Sequence, residues 1–470
     1  MFNWVIVLAV VFVIAKLKKT MKNKILLIIS ILSLLNISSN AQNYDFGFIR
    51  DNSIIVNDSL GNPISMPWVG GLNAVHFSQI DLNFDNLLDL IVFDIHGDKL
   101  TTYINDGISD SSSYTYAPQY INALPIINGW IQTCDYDNDG DMDIFTYTSG
   151  SIRLCENVSS LNNLVFTAHT NVLEYRSPLN DTTNNYINIY TGSVDYPAFV
   201  DIDYDGDMDV IAFNIFGSVL VWYKNYSMEL SGASGMLEFK IEDYCWGNFI
   251  ESSVYNSVIM DFNCNNSNKM PMSVSASGSK HSGSTLLVTD LNNDSLFDLI
   301  LGDVDYSTII ALTNGGNRDS AHMVSQDTTF PSYDAFINLI SFPVVSFLDI
   351  DNDSIKEFVI GSFDATYFRP EARNSVWLYE NTGTNNAPIM NYKQSNFFQD
   401  RMIDVGDDAA PTIVDVDGDG LLDIIIGNYG NIDSSYIDSA AATLRTNKIF
   451  YTYILSKCWH YISAFISAYG

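Results

Sequence analysis

Six short acidic loops recur along the chain, and each runs straight into an apolar segment. The most complete is Asp415-Val-Asp-Gly-Asp-Gly-Leu-Leu-Asp423, followed by Ile424-Ile-Ile-Gly427. Asp415, Asp417, Asp419 and Asp423 stand at positions 1, 3, 5 and 9 of this loop, and Gly420 at position 6. Four carboxylates packed so closely repel one another unless a positive charge lies between them. Calcium, a hard oxygen-seeking cation, suits such a set. The β-branched run that follows predicts a strand, so the unit is loop then strand.

The other five copies keep the spacing. The first has Asp81, Asn83, Asp85 and Asp89, with Asn86 at position 6. The second has Asp135, Asp137, Asp139 and Asp143 around Gly140, and the third has Asp201, Asp203, Asp205 and Asp209 around Gly206. The fourth has Asp290, Asn292, Asp294 and Asp298 with Ser295, and the fifth Asp349, Asp351, Asp353 and Glu357 with Ser354. Most starts lie about 54 to 66 residues apart, with one gap of about 89. A fixed period of that size marks a repeated supersecondary unit.

Each unit has the same grammar. An apolar strand leads in, as in Ala198-Phe-Val200, and a second leaves, as in Val210-Ile-Ala-Phe213. A Gly or Asn turn follows, then a third strand such as Val219-Leu-Val-Trp-Tyr223, then a weaker fourth such as Leu164-Val-Phe-Thr167. Four short antiparallel strands per repeat predict an all-β fold, a β-propeller of six or seven four-stranded blades. Residues 43–75 can supply strands that complete the last blade. The long gap predicts one blade with an insertion near 245–282. Residues 42–454 thus form the propeller. Residues 455–470 do not repeat the pattern and read as an atypical tail, truncated or frame-shifted.

The loops and their flanks resemble FG-GAP/VCBS repeats, the units of the integrin α-subunit propeller and of many secreted bacterial proteins. The resemblance covers about residues 70–435. It implies up to six structural calcium ions, one between the first two strands of each blade. Side chains at positions 1, 3, 5 and 9 and the position-7 carbonyls would hold them. Those carbonyls belong to Leu87, Asp141, Asp207, Leu296, Ile355 and Leu421. Position 6 requires φ > 0, free for Gly and tolerated by Asn, less so by Ser295 and Ser354. Asn83 and Asn292 each remove a charge, and Glu357 is longer than Asp. Loops two, three and six are therefore expected to bind most tightly, and one, four and five more weakly.

The net charge of −33 excludes nucleic acid as a partner, because its phosphates would be repelled. With 47% hydrophobic residues the chain can nevertheless build a large core. The N-terminus carries an export pattern: Met21-Lys-Asn-Lys, the apolar stretch Ile25–Leu35 and Ser39-Asn-Ala41 before Gln42. Residues 21–41 read as a signal peptide, and 1–20 as an upstream extension of the gene or, alternatively, a membrane anchor. Membrane contact is expected only if that segment is retained. In an exported chain Cys245 and Cys264 are the favoured disulfide pair, while Cys134 and Cys155 fall on strands separated by a third. His281-Ser-Gly-Ser-Thr285 reads as a polar lead-in to a strand. Trp246 and the tyrosines of the insertion can serve as core or as a flat sugar-binding surface, core being favoured. No catalytic motif appears. The functional expectation is a secreted or cell-surface adhesion module for a protein or glycan; the alternative is a propeller-based polysaccharide lyase or hydrolase.

Overall fold

Every acidic loop joins the first two strands of an antiparallel sheet, and its position-9 carboxylate opens the second strand in all six copies. A computed structural model describes residues 51–470 apart from 59, 161–162, 178–184, 216, 218, 253–254, 263, 265–282, 340–341, 364–372, 407–408, 429–430, 439–442, 450–451, 459–460 and 468–470; over 431–467 it describes backbone only. The chain divides after Ser53, and the unit described here is Ile54–Gly470. Residues 21–41, expected to form a signal peptide, and residues 1–20 lie outside the described residues. No helix among the described residues is long and apolar enough to cross a membrane.

Five sheets form the blades. Blade one is Val75–Ile80, Asp89–Asp94, Lys99–Asn105 and Tyr114–Tyr116. Blade two is Ile131–Cys134, Asp143–Thr148, Ser151–Asn157 and Phe166–Ala168. Blade three is Ala198–Val200, Asp209–Phe213, Leu220–Asn225 and Phe239–Asp243, with Glu174–Arg176 and Tyr186–Asn188 added at its outer edge. Blade four is Ser284–Thr289, Asp298–Asp303, Ile309–Asn314 and Met323–Asp327. Blade five is Pro343–Leu348, Glu357–Ser362, Trp377–Asn381 and Met390–Gln394. The second strands of blades one, three, four and five are buried at every residue. Each sheet packs on a neighbour through both faces, which erases apolar–polar alternation.

The ring closes at five blades, not six or seven. Hydrogen bonds link each inner strand to the next. Thr133 Oγ1 donates to the Gln79 carbonyl at 2.8 Å, and Gln132 Nε2 to the Pro197 carbonyl at 2.7 Å. The Leu286 amide donates to the Tyr196 carbonyl at 3.0 Å, and Thr285 Oγ1 to the Pro343 carbonyl at 2.8 Å. Ser346 Oγ then donates to the Phe77 carbonyl at 3.1 Å, and Gln79 Nε2 to the Asp349 carbonyl at 2.6 Å, which joins blade five directly to blade one. Two glycines permit this approach. A Cβ on Gly361 of blade five would overlap the Val75 carbonyl oxygen of blade one, and one on Gly302 of blade four would overlap the Pro343 carbonyl oxygen of blade five.

The sixth repeat stands outside that ring. Its first strand, Ala410–Val414, is exposed along its whole length. It pairs with Asp423–Gly427 in a sheet that continues through Thr452–Cys458 and Tyr461–Ser467 to Val56–Asn57. The leading segment therefore does join the last repeat, through one short parallel strand, but it does not close the ring. The described residues of 455–470 contribute the end of the strand Thr452–Cys458 and the whole of Tyr461–Ser467 to this sheet. The Cys245–Cys264 disulfide is present, and Cys134 and Cys155 are free.

The ring axis is filled. His76 of blade one is fully buried, stacked on Phe363 of blade five at 4.6 Å and edge-on to Tyr196 of blade three at 5.2 Å. Trp130, Phe342 and Phe363 share one core cluster with residues of blades two and three. Neither ring nitrogen of His76 has a hydrogen-bond partner. Burial holds its pKa down at about 3. The unfolded chain, with a histidine near 6.5, therefore takes up a proton that the folded ring refuses. His76 thus removes stability as pH falls from about 6.5 towards 3. The expected result is that His76→Phe gains on the parent by about 1.4 kcal/mol per pH unit over that window. Urea melts of both proteins at pH 7, 6, 5 and 4 check this; a constant difference would refute it.

Candidate acidic-loop site

The loops form because the backbone wraps around the position-1 carboxylate. In loop one Asp81 Oδ1 accepts from the Phe84 amide at 2.6 Å and Oδ2 from the Asn86 amide at 2.9 Å. The position-6 amide makes the same bond in every other copy: Gly140 to Asp135, Gly206 to Asp201, Ser295 to Asp290, Ser354 to Asp349 and Gly420 to Asp415, at 2.9 to 3.0 Å. The position-5 carboxylate accepts from the position-7 amide, for example Leu87 to Asp85 at 2.8 Å and Leu421 to Asp419 at 2.7 Å. Position 6 has φ > 0 in all six loops, Ser295 and Ser354 included. Position 4 does as well, at Phe84, Asn138, Tyr204, Asn293, Asn352 and Gly418, which the sequence reading missed.

Position 4 is where loops touch around the ring. Asn138 Nδ2 donates to the Gly206 carbonyl of loop three at 2.6 Å. Tyr204 stacks on Phe297 of loop four at 5.2 Å. Asn352 of loop five exchanges side-chain hydrogen bonds with Asn105 of blade one. The loops of the five blades therefore share one face.

Asn105 belongs to a second repeated element that went unnoticed in the sequence. The third strand of every blade ends on asparagine: Asn105, Asn157, Asn225, Asn314 and Asn381. The backbone amide of this residue donates to the position-9 carboxylate in blades one to four, as Asn105 to Asp89 at 2.8 Å and Asn314 to Asp298 at 2.7 Å. Its side chain donates to the position-8 carbonyl in blades one, two, four and five. Its Oδ1 caps a turn by accepting from the residue two ahead. The signal was available as Asn-x-Gly or Asn-x-Ser after an apolar run.

The position-9 carboxylates are buried, Asp89, Asp209 and Asp298 to 0% exposure. In blades one to five burial pushes the pKa up, to about 6 for Asp89 and Asp298, about 7 for Asp143 and about 8 for Asp209 and Glu357, against the pull of backbone amides that donate to them. A cation among the loop oxygens would reverse that burial penalty.

The copies are not equivalent. In loop two Asp135, Asp137 and Asp143 offer oxygens within 4.8 Å of one another; in loop five Asp349, Asp351 and Asp353 do, and in loop six Asp415, Asp417 and Asp423. Asp351 Oδ1 is buried without a hydrogen-bond partner, the environment a bound cation satisfies. These three loops fit a divalent ion. In loop one the Asn83 amide donates to Asp85 Oδ2 at 2.9 Å, so one oxygen is already paired. In loop four the Asn292 side-chain Oδ1 accepts from the Asp294 backbone amide at 2.9 Å, as Asp417 Oδ1 does from Asp419 in loop six, but Asn292 brings no charge. Loop three also brings Asp201, Asp203 and Asp205 together, and Asp205, Asp207 and Glu229, and its Asp203 Oδ1 and Asp207 Oδ1 are likewise buried without a hydrogen-bond partner, but here the Lys224 ammonium already lies among the carboxylates.

The described part of the insertion, within 245–264, sits at the other end of the ring, and 265–282 lie outside the described residues. After Trp246, which is buried between blades three and four, a hairpin of Ile250–Glu251 and Val258–Ile259 packs on blade four. Asn256 Nδ2 donates to the Thr308 carbonyl at 3.1 Å, in the turn between the second and third strands. Those turns lie opposite the acidic loops. Trp246 is thus core and not a sugar platform, whereas Tyr255 at the hairpin tip is 72% exposed. Of His281–Thr285, Ser284 and Thr285 open an inner strand and His281 lies outside the described residues.

No family model matches the chain, and no curated protein matches it. Among solved structures it is similar to an Agrocybe aegerita lectin described for specific recognition of non-reducing terminal N-acetylglucosamine, with 14% identity over 80% of each chain and a TM-score of 0.31. It is also similar to TcdB2–TccC3 without its hypervariable C-terminal region, at 10% identity and a TM-score of 0.28. That match covers 88% of this chain but 21% of the other. The TcdB2–TccC3–Cdc42 structure gives a TM-score of 0.27. Likenesses this distant carry no functional argument.

Proposed function

We propose that the chain is an exported recognition module of the FG-GAP/VCBS type, a five-bladed propeller whose acidic loops bind calcium to stiffen one face while the other face meets a protein or glycan. The observation that carries this reading is the division of labour between the faces. Acidic loops that share contacts gather at one end, and a disulfide-closed hairpin with an exposed tyrosine projects at the other. The disulfide supports an oxidising, extracellular setting. Calcium supplies positive charge to oxygens that otherwise repel, and the loop residues hold it; no reacting group is required of it. Along the axis the described residues pack closely around His76, Tyr196 and Phe363. The test is binding of the full chain to arrays of glycans and extracellular proteins in 1 mM calcium. Binding that falls at least tenfold in Tyr255→Ala supports the reading. Absence of any ligand together with depolymerisation of an arrayed polysaccharide would overturn it in favour of an enzyme.

A further inference from the structure

Loop three departs from its siblings at one residue. The position before the third-strand asparagine is Ile104, Glu156, Thr313 and Glu380 in blades one, two, four and five, but Lys224 in blade three. The Lys224 side chain is 12% exposed and folds back over the loop. Its ammonium pairs with Asp203 at position 3, with Asp205 at position 5 at 3.2 Å, and with Glu229 at 2.6 Å. Glu229 comes from the short helix Ser227–Ser231, which is tied to the same loop by the Met228 amide donating to Asp207 at 2.8 Å. Asp203 and Asp205 are two of the side chains a divalent ion would need in this loop. An ion entering it would have to expel a tethered, partly buried ammonium and break three ion pairs.

We propose that loop three carries its own cation: Lys224 stands where the other loops take a divalent ion, and this blade is held together without calcium. The inference rests on the reading of the acidic loops as calcium sites. It departs from the expectation that loop three, with a full set of aspartates and Gly206, is among the tightest. The physical reason is that a positive charge fixed by the chain competes with the ion at every calcium concentration. Blade three also bears the added outer strands, and its loop contacts both loop two and loop four. A metal-independent blade would keep that part of the ring ordered when calcium is low.

The experiment counts bound calcium by equilibrium dialysis of the full chain at 1 mM free calcium, for the parent, Lys224→Met and Lys224→Gln. The expected result is one more calcium per chain in both variants than in the parent. Equal, non-zero counts would overturn the inference and leave the calcium reading of the other loops standing. No calcium in any of the three would overturn both. If the variants fail to fold, crystals of the parent soaked in manganese decide. Anomalous peaks in loops two and five with none in loop three support the inference. A peak between Asp201, Asp203 and Asp205 refutes it, and no peak in any loop overturns both readings.

Discussion

Chelation should lower the thermal midpoint of the protein by about 5 °C relative to 1 mM calcium. Three loops, two, five and six, offer three converging carboxylates without an internal cation. An extracellular-type site with Kd on the order of 10⁻⁴ M gains about 1.4 kcal/mol at millimolar calcium. Three such sites give about 4 kcal/mol, and a chain of this size moves by roughly 1.2 °C per kcal/mol. The effect should be specific to the loops. Asp137→Asn in loop two should take about a third of the calcium-dependent shift and leave the chelated midpoint nearly unchanged. Calorimetry with and without chelator measures both. Identical melts in the two conditions would remove calcium from the account of stability.

Gly361→Ala should cost about 3 kcal/mol, the upper end of what overpacking a core costs. The added methyl would meet the Val75 carbonyl oxygen, a backbone atom in the strand that closes the ring. No side-chain rotation relieves that contact, so the seam between blades five and one must open. The control is Gly427→Ala. Gly427 holds the same place in the sixth repeat, four residues after the position-9 carboxylate, yet nothing lies within 4 Å of a Cβ built there. That change should be neutral or gain about 0.5 kcal/mol, because alanine loses less backbone freedom than glycine on folding. Denaturant melts of both variants decide. Equal behaviour of the two would mean that the five-blade seam is not the tight contact described.

Calcium stiffening and ring closure are separable contributions. The loops sit at one end of the strands, whereas the seams run along the inner strands and through the filled axis. A variant that opens the seam should therefore lose stability with or without chelator. A loop variant should lose only the calcium-dependent part.

Much of the blade pattern was legible in the sequence because it depends on local chemistry. An aspartate at position 1 collects the amides of its own loop, and a β-branched run after position 9 extends into a strand. The turn requirement at position 6 follows from backbone sterics, which hold even where serine replaces glycine. The Cys245–Cys264 pair was legible for the same reason, since both cysteines belong to one insertion. The third-strand asparagines are equally local, since each caps a turn by accepting from the amide two residues ahead.

The number of blades was not local. Six similar repeats invite a ring of six, and nothing within any one repeat says otherwise. Closure depends on how closely two backbones approach where they meet, here at Gly361 against Val75, between residues nearly three hundred positions apart. The same holds for Lys224. Its place in the third strand looks like an ordinary exposed-edge lysine until the blade folds it over loop three and sets its ammonium against Asp203, Asp205 and Glu229. The sequence by itself determined the repeats, their strands and the residues that face one another inside each loop, because those contacts span a few residues. Only the tertiary structure decided which repeats enter the ring and which loop already holds a charge, because both depend on contacts between strands that local sequence does not encode.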